Sequence, residues 1–78
     1  QFTNADLSSA SLEKTNFVHA EFMNVNFSGA NLSGADLSRA NLYGSNITQA
    51  QLDSLSFYRC ATLPDGSVYD ENGAIDCD

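Results

Sequence analysis

One histidine, two cysteines and a long series of serines, asparagines and aspartates are the residues of this 78-residue chain that could do chemistry. A Ser-His-Asp constellation needs a nucleophile, a base and an orienting carboxylate brought together. His19 is the only candidate base. Four of the ten serines, Ser8, Ser28, Ser33 and Ser38, fall in a single recurring position directly after the large apolar residue of the repeat, so a serine near His19 would be there by repetition. A zinc site wants closely spaced cysteine and histidine ligands, which His19, Cys60 and Cys77 do not supply. The triplets Asn26-Phe27-Ser28, Asn31-Leu32-Ser33 and Asn46-Ile47-Thr48 match the glycosylation acceptor, yet the same repetition generates them. The expectation is a protein that is not an enzyme, with no catalytic, cofactor-binding or metal-binding residues and no cofactor.

The element that positions these residues is a five-residue phrase, clearest in Ala30-Asn31-Leu32-Ser33-Gly34-Ala35-Asp36-Leu37-Ser38-Arg39-Ala40-Asn41-Leu42-Tyr43-Gly44. A large apolar residue occupies every fifth position: Phe2, Leu7, Leu12, Phe17, Phe22, Phe27, Leu32, Leu37, Leu42, Ile47, Leu52 and Phe57. Two residues earlier stands a compact one: Ala5, Ala10, Thr15, Ala20, Val25, Ala30, Ala35, Ala40, Ser45 and Ala50. A period of five is neither helical nor that of a flat strand. The small and large residues are two apart, so both point inward from a short extended segment. The next inward residue is three further on, which demands a corner, and Gly29, Gly34 and Gly44 stand there with the backbone freedom a corner uses. A chain that turns alike every five residues stacks on itself as a solenoid. The row Asp6, Asn16, Asn26, Asn31, Asp36, Asn41 and Asn46 is mostly amide, which favours hydrogen bonding along the stack over ion binding.

The A(D/N)Lxx phrase over about residues 1 to 52 resembles the pentapeptide-repeat family. That resemblance implies an all-β solenoid, a right-handed quadrilateral β-helix with twenty residues per coil and the large residue on the axis. The core stack would be Phe2, Leu7, Leu12, Phe17, Phe22, Phe27, Leu32, Leu37, Leu42, Ile47 and Leu52. Thr15, Val25 and Ser45 remain compact enough for the small slot, whereas Leu55 would overpack it.

After Ile47 the texture changes, so the chain divides into a β-helix over 1–47 and a C-terminal cap over 48–78. Thr48-Gln49-Ala50-Gln51 reads as a capping box, and Leu52 and Leu55 share a helical face, which predicts a short helix over about 49–58. The competing reading continues the five-residue period to Phe57. Leu63-Pro64-Asp65-Gly66 and Asn72-Gly73 are turn signatures, and family members often end in a similar helix and Leu-Pro-Asp-Gly turn. Cys60 and Cys77 bracket this turn-rich, hydrophobe-poor tail. A disulfide closing it would stabilise by roughly 3 kcal/mol and would imply an oxidising compartment; two unrelated thiols in a reducing one is the alternative.

The net charge is −7, with −5 of it in the last 18 residues, which hold no base. A nearly neutral coil with an acidic tail argues against direct nucleic-acid binding through a basic patch, and nothing in the chain is apolar for long enough to insert into a membrane. The chain starts mid-repeat at Gln1-Phe2 without a methionine, which reads as a trimmed or processed parent. Two surfaces are candidates for protein contact. The first coil ends in an uncovered edge of strand-like segments, open to a protein partner or to self-association. Val18, Met23 and Tyr43 put apolar side chains where serine is usual, with Met23 and Tyr43 one coil apart on one face. The reading that follows is a structural or protein-interaction module of unknown specific role in an oxidising compartment. The resemblance to members with Cys-bearing caps implies the thylakoid lumen, or alternatively the cyanobacterial periplasm. A DNA-mimicking regulator of type II topoisomerase (gyrase) is the second reading; its family precedents are long, acidic rods, unlike this short coil.

Overall fold

The computed structural model describes residues 2–69. Its organising feature is a set of parallel backbone bridges between residues one coil apart: Asp6 with Asn26, Ser11 with Asn31, Asn16 with Asp36, and Glu21 with Asn41. Each pair is separated by twenty residues and successive pairs by five, so each coil has four sides of five residues. The extended part of a side is too short to form a named strand. It carries two bonds that climb and descend the stack. Asn26 donates to Ala5 O at 3.1 Å and Leu7 donates to Asn26 O at 2.8 Å, and the same pairing recurs on the other sides.

The corners explain the phrase. The carbonyl of the large residue accepts from the amide of the next small residue, as in Ala30 N–H to Phe27 O at 2.9 Å and Ala40 N–H to Leu37 O at 3.0 Å. Between them the last residue of the phrase has a positive φ, the sign pattern of a type II turn. Asn4, Ser9, Lys14, His19, Asn24 and Arg39 adopt it at the same slot as Gly29, Gly34 and Gly44. Glycine is needed most at Gly44, where φ is 76° and an added β-carbon would collide with Asn24 Oδ1 of the coil below.

Inward residues make one axial core. Phe22, Phe27, Leu37, Leu42, Ala35 and Ala40 are 0% exposed, and Phe17, Val25, Ala30, Leu32, Ile47 and Leu52 are also buried. Twenty-residue spacing places like rings above one another. Phe2 stacks on Phe22 at 5.0 Å between centroids and 13° between planes, close to the strand spacing of about 4.8 Å. Phe17 and Phe27 meet Phe22 edge-on at 5.1 and 5.3 Å. Ser45 takes a small slot but brings a hydroxyl, whose buried oxygen has no hydrogen-bond partner.

The cap opens with helix α1, Gln49–Ser54, capped by Thr48. It is four residues shorter than the 49–58 that the capping box and the Leu52/Leu55 face suggest. Leu55 is already extended, with φ −69° and ψ 149°, because the chain there rejoins the coil: Ser56 donates to Ala35 O at 2.9 Å. From that point the register slips by one residue. Asp36 bridges Phe57 and Asn41 bridges Thr62, each 21 residues on instead of twenty. Two residues, Ser56 and Phe57, do the work of one, as in a β-bulge. The slip sends Phe57 outward, 57% exposed, so the competing reading, in which the period runs on to Phe57, does not hold either. Tyr58 packs against the core in its place, followed by fully buried Ala61 and then Leu63. The phrase Ala61-Thr62-Leu63 is a further repeat, and Thr62 pairs antiparallel with Val68 to close the described chain. The tail segment from Asp70 onward, including Cys77 and the Asn72-Gly73 turn, lies outside the described residues.

Candidate interaction surfaces

The Asn/Asp row acts mainly at corners. Asp6, Asn16, Asn26, Asn31, Asp36 and Asn41 each accept from the backbone amide two residues on, at 3.0–3.1 Å, and Asp65, outside the row, does the same for Ser67. These Asx turns satisfy a corner amide that points away from the stack. The expectation of hydrogen bonding along the stack is thus corrected for most of the row. It holds at Asn46, whose Nδ2 donates to Asn26 Oδ1 at 2.9 Å and whose Oδ1 accepts from Phe27 N–H at 2.6 Å, and at Asn31, whose Nδ2 donates to Glu13 Oε2 at 3.1 Å. The Ser8 hydroxyl and amide hold the Asp6 carboxyl below its ordinary range, and Ser67 does the same for Asp65. Both preferences favour the folded chain above the ordinary carboxylate pKa, and that contribution fades as the pH falls through the lowered values.

His19 is exposed at a left-handed corner and gives its amide to Ser38 O at 3.0 Å. Among the described residues, no three His, Cys, Asp or Glu side chains lie close enough to hold a metal ion. Nor is any described helix long and apolar enough to cross a membrane.

The structure places the lateral candidates as follows. Val18 is 39% and Tyr43 50% exposed, while Met23 is half-buried. Met23 and Tyr43 stand on stacked corners, where Met23 O receives Asn4 N–H and Tyr43 O receives Asn24 N–H. The Tyr43 ring also lies beside Gly66 of the last turn, so part of this face is already used by the cap. Val18 stands at the preceding corner.

The edge of the first coil is the more open surface. Phe2, Leu7 and Leu12 pack against the core but are only half-buried. Their equivalents one coil on, Phe22, Phe27 and Leu32, are at most 1% exposed. The amides of Asn26, Asn31, Asp36 and Asn41 reach carbonyls of the coil before them. Among the described residues, the equivalent amides of Asp6, Ser11 and Asn16 have no such coil to meet.

A family model for pentapeptide repeats matches residues 1–39 and 20–57, with eight copies of the repeat. This chain belongs to the pentapeptide-repeat family. Membership implies a right-handed wind for the four-sided coil. The pentapeptide repeat therefore accounts for the bridges, corners and axial core together. Among solved structures, the chain is similar to HetL, a pentapeptide repeat protein involved in heterocyst differentiation regulation from the cyanobacterium Nostoc sp. strain PCC 7120. The two are 30% identical over 86% of this chain and 38% of HetL, with a TM-score of 0.28. The chain thus spans well under half the length of that relative. No curated protein matches it. Pentapeptide-repeat proteins are generally non-enzymatic interaction modules.

Three features of the pentapeptide coil escape a reading of residue types. Gln51 reaches from α1 to two carbonyls of the coil below, Phe27 O at 2.8 Å and Ala30 O at 3.1 Å. Phe57 faces out. Arg39 and Arg59 meet at one corner, lining a cleft of about 230 Å³ with Ser38 and Cys60. Only the last had a sequence signal, since the two arginines are twenty residues apart.

Proposed function

We propose that this chain is a non-enzymatic protein-interaction module whose first-coil edge is covered by preceding residues of a longer parent, by a protein partner or by a second copy, the last two making that edge its working contact. The observation that carries this reading is the contrast between half-buried Phe2, Leu7 and Leu12 and their fully packed equivalents one coil later. An apolar edge where the Asp6, Ser11 and Asn16 amides meet no further coil among the described residues is costly to leave in water, and a symmetric dimer is the commonest way for copies to close one. Val18, Met23 and Tyr43 form a secondary lateral contact. Light scattering of the chain beside Phe2→Glu/Leu7→Glu tests self-association, and the variant is expected to lose any assembly seen in the parent. Amide exchange tests the cover itself. A monomer at high concentration whose residues 1–20 are as protected as residues 30–45 would show that the edge needs none.

The compartment we propose is oxidising, such as the thylakoid lumen, with the cyanobacterial periplasm as the alternative. The support is a pairing of Cys60 with Cys77 that would close the tail, with Cys60 buried at the left-handed corner before Ala61. A thiol assay on protein denatured without reductant is expected to find no free cysteine. Two titratable thiols in protein taken from its native compartment would remove the case for either location.

A further inference from the structure

Every axial slot from Phe2 to Leu52 takes Phe, Leu or Ile, but the register slip delivers Tyr58 to the core in the place of Phe57. There it meets Tyr69, which the antiparallel pairing of Thr62 with Val68 brings back over the last side of the coil. The two rings stack with centroids 4.2 Å and planes 27° apart, closer than the 5.0 Å of Phe2 on Phe22. Their phenols are hydrogen-bonded to one another, so the hydroxyl-bearing ends lie on the same side of the stack, and the carbons ortho to each hydroxyl lie there with them. Burial, and then that hydrogen bond, hold the Tyr58 phenol above its ordinary range. The third tyrosine, Tyr43, is 50% exposed and stands at the Met23 corner with Gly66 beside its ring.

Two phenol rings held face to face in this register are arranged for oxidative coupling. Removing an electron and the hydroxyl proton from a tyrosine leaves a radical spread over its oxygen and its ortho and para carbons. The para carbon already carries Cβ, so two such radicals join through the ortho carbons, Cε to Cε. Joining is fast when the reacting atoms start near the roughly 3–3.5 Å of a near-attack arrangement, and the tilt of the stacked rings brings one pair of facing edges toward it. The segment carrying Tyr69 is held to the coil by backbone bonds, Tyr69 N–H to Ala61 O at 2.8 Å, Cys60 N–H to Tyr69 O at 3.0 Å and Leu63 N–H to Ser67 O at 2.7 Å. A covalent link between the rings would make that attachment permanent.

We propose that Tyr58 and Tyr69 form an oxidative cross-linking site, where a one-electron oxidant couples the two rings into a dityrosine that locks the cap to the coil. Two equivalents of oxidant take one electron from each ring, and the two hydroxyl protons pass to water. A Cε–Cε bond forms, and the hydrogens on the joined carbons move to the oxygens and restore both phenols. The product lacks two hydrogens and keeps both hydroxyls. This site lies in the cap and depends neither on the role proposed for the first-coil edge nor on the compartment.

The test photo-oxidises the full chain at low micromolar concentration with ruthenium(II) tris-bipyridine and persulfate. Dityrosine fluorescence, intact mass and tryptic peptides after reduction are the readouts. The folded parent is expected to give a monomer two hydrogens lighter, whose peptides 40–59 and 60–78, cut apart at Arg59, stay joined. Tyr43→Phe should behave as the parent, which assigns the link in peptide 40–59 to Tyr58. Tyr58→Phe and Tyr69→Phe should each abolish the monomeric product. Unfolding the parent in urea before illumination should lower the yield several-fold, because the stack and not nearness in sequence brings the rings together. In the linked chain the Cys60 and Tyr69 amides should exchange several-fold more slowly. A monomer without dityrosine, or one whose dityrosine survives Tyr58→Phe, would overturn the proposal. Equal yields from the folded and the urea-unfolded chain would overturn it too.

Discussion

Replacing Leu37 by alanine should cost about 2–5 kcal/mol, from lost burial and from the cavity left behind. Leu37 is 0% exposed at the middle of the axial stack, and a coil tied on all four sides has little freedom to collapse around the gap. For a chain of this length the whole stability is on the order of 4–12 kcal/mol, so the variant should be largely unfolded near room temperature or melt at much lower urea. The companion measurement is Phe57→Ala. The five-residue period puts both side chains in the core, whereas the register slip leaves Phe57 57% exposed. Its loss should fall within the roughly 0.5 kcal/mol typical of surface changes. Equal losses for the two variants would mean that the period runs on without a slip. A Leu37→Ala melt superimposable on the parent would sink the axial assignment itself.

Gln51→Ala should be the next most damaging single change, at about 2–3 kcal/mol for three hydrogen bonds and a broken cap. The Gln51 side chain accepts from Thr48 N–H at 2.9 Å and donates to Phe27 O and Ala30 O. One residue therefore caps α1 and ties it to the coil beneath. Gln51→Glu separates the two jobs. A carboxylate still accepts from the Thr48 amide, as capping boxes allow, but it has no proton for the two carbonyls and faces them with negative charge. The glutamate variant should lose at least as much stability as the alanine variant in urea melts at neutral pH. If Gln51→Glu equals the parent, the capping box alone carries this residue, and the tie to Phe27 and Ala30 contributes nothing.

The sequence by itself determined the period and, through it, which way side chains point along most of the coil. An apolar residue at every fifth position and a compact one two before it leave little alternative to short extended sides joined by corners. The corner glycines mark where φ turns positive. The capping box at Thr48 likewise announced the start of α1, since both partners of a box are local. Tertiary structure decided what depends on neighbours a coil away. The helix ends at Ser54 because Ser56 finds Ala35 O, a partner no local pattern contains. Phe57 looks like another core residue by period, yet the extra residue absorbed at Ser56–Phe57 turns it to solvent and brings Tyr58 inward. The Asn/Asp row shows the same division in reverse. Its spacing suggested ladders between coils, but an amide two residues ahead is nearer than one a coil away. Most of these side chains close their own corners instead; Asn46, where α1 is about to begin, reaches across to Asn26, and Asn31 closes its corner while its amide nitrogen also reaches Glu13 of the neighbouring coil.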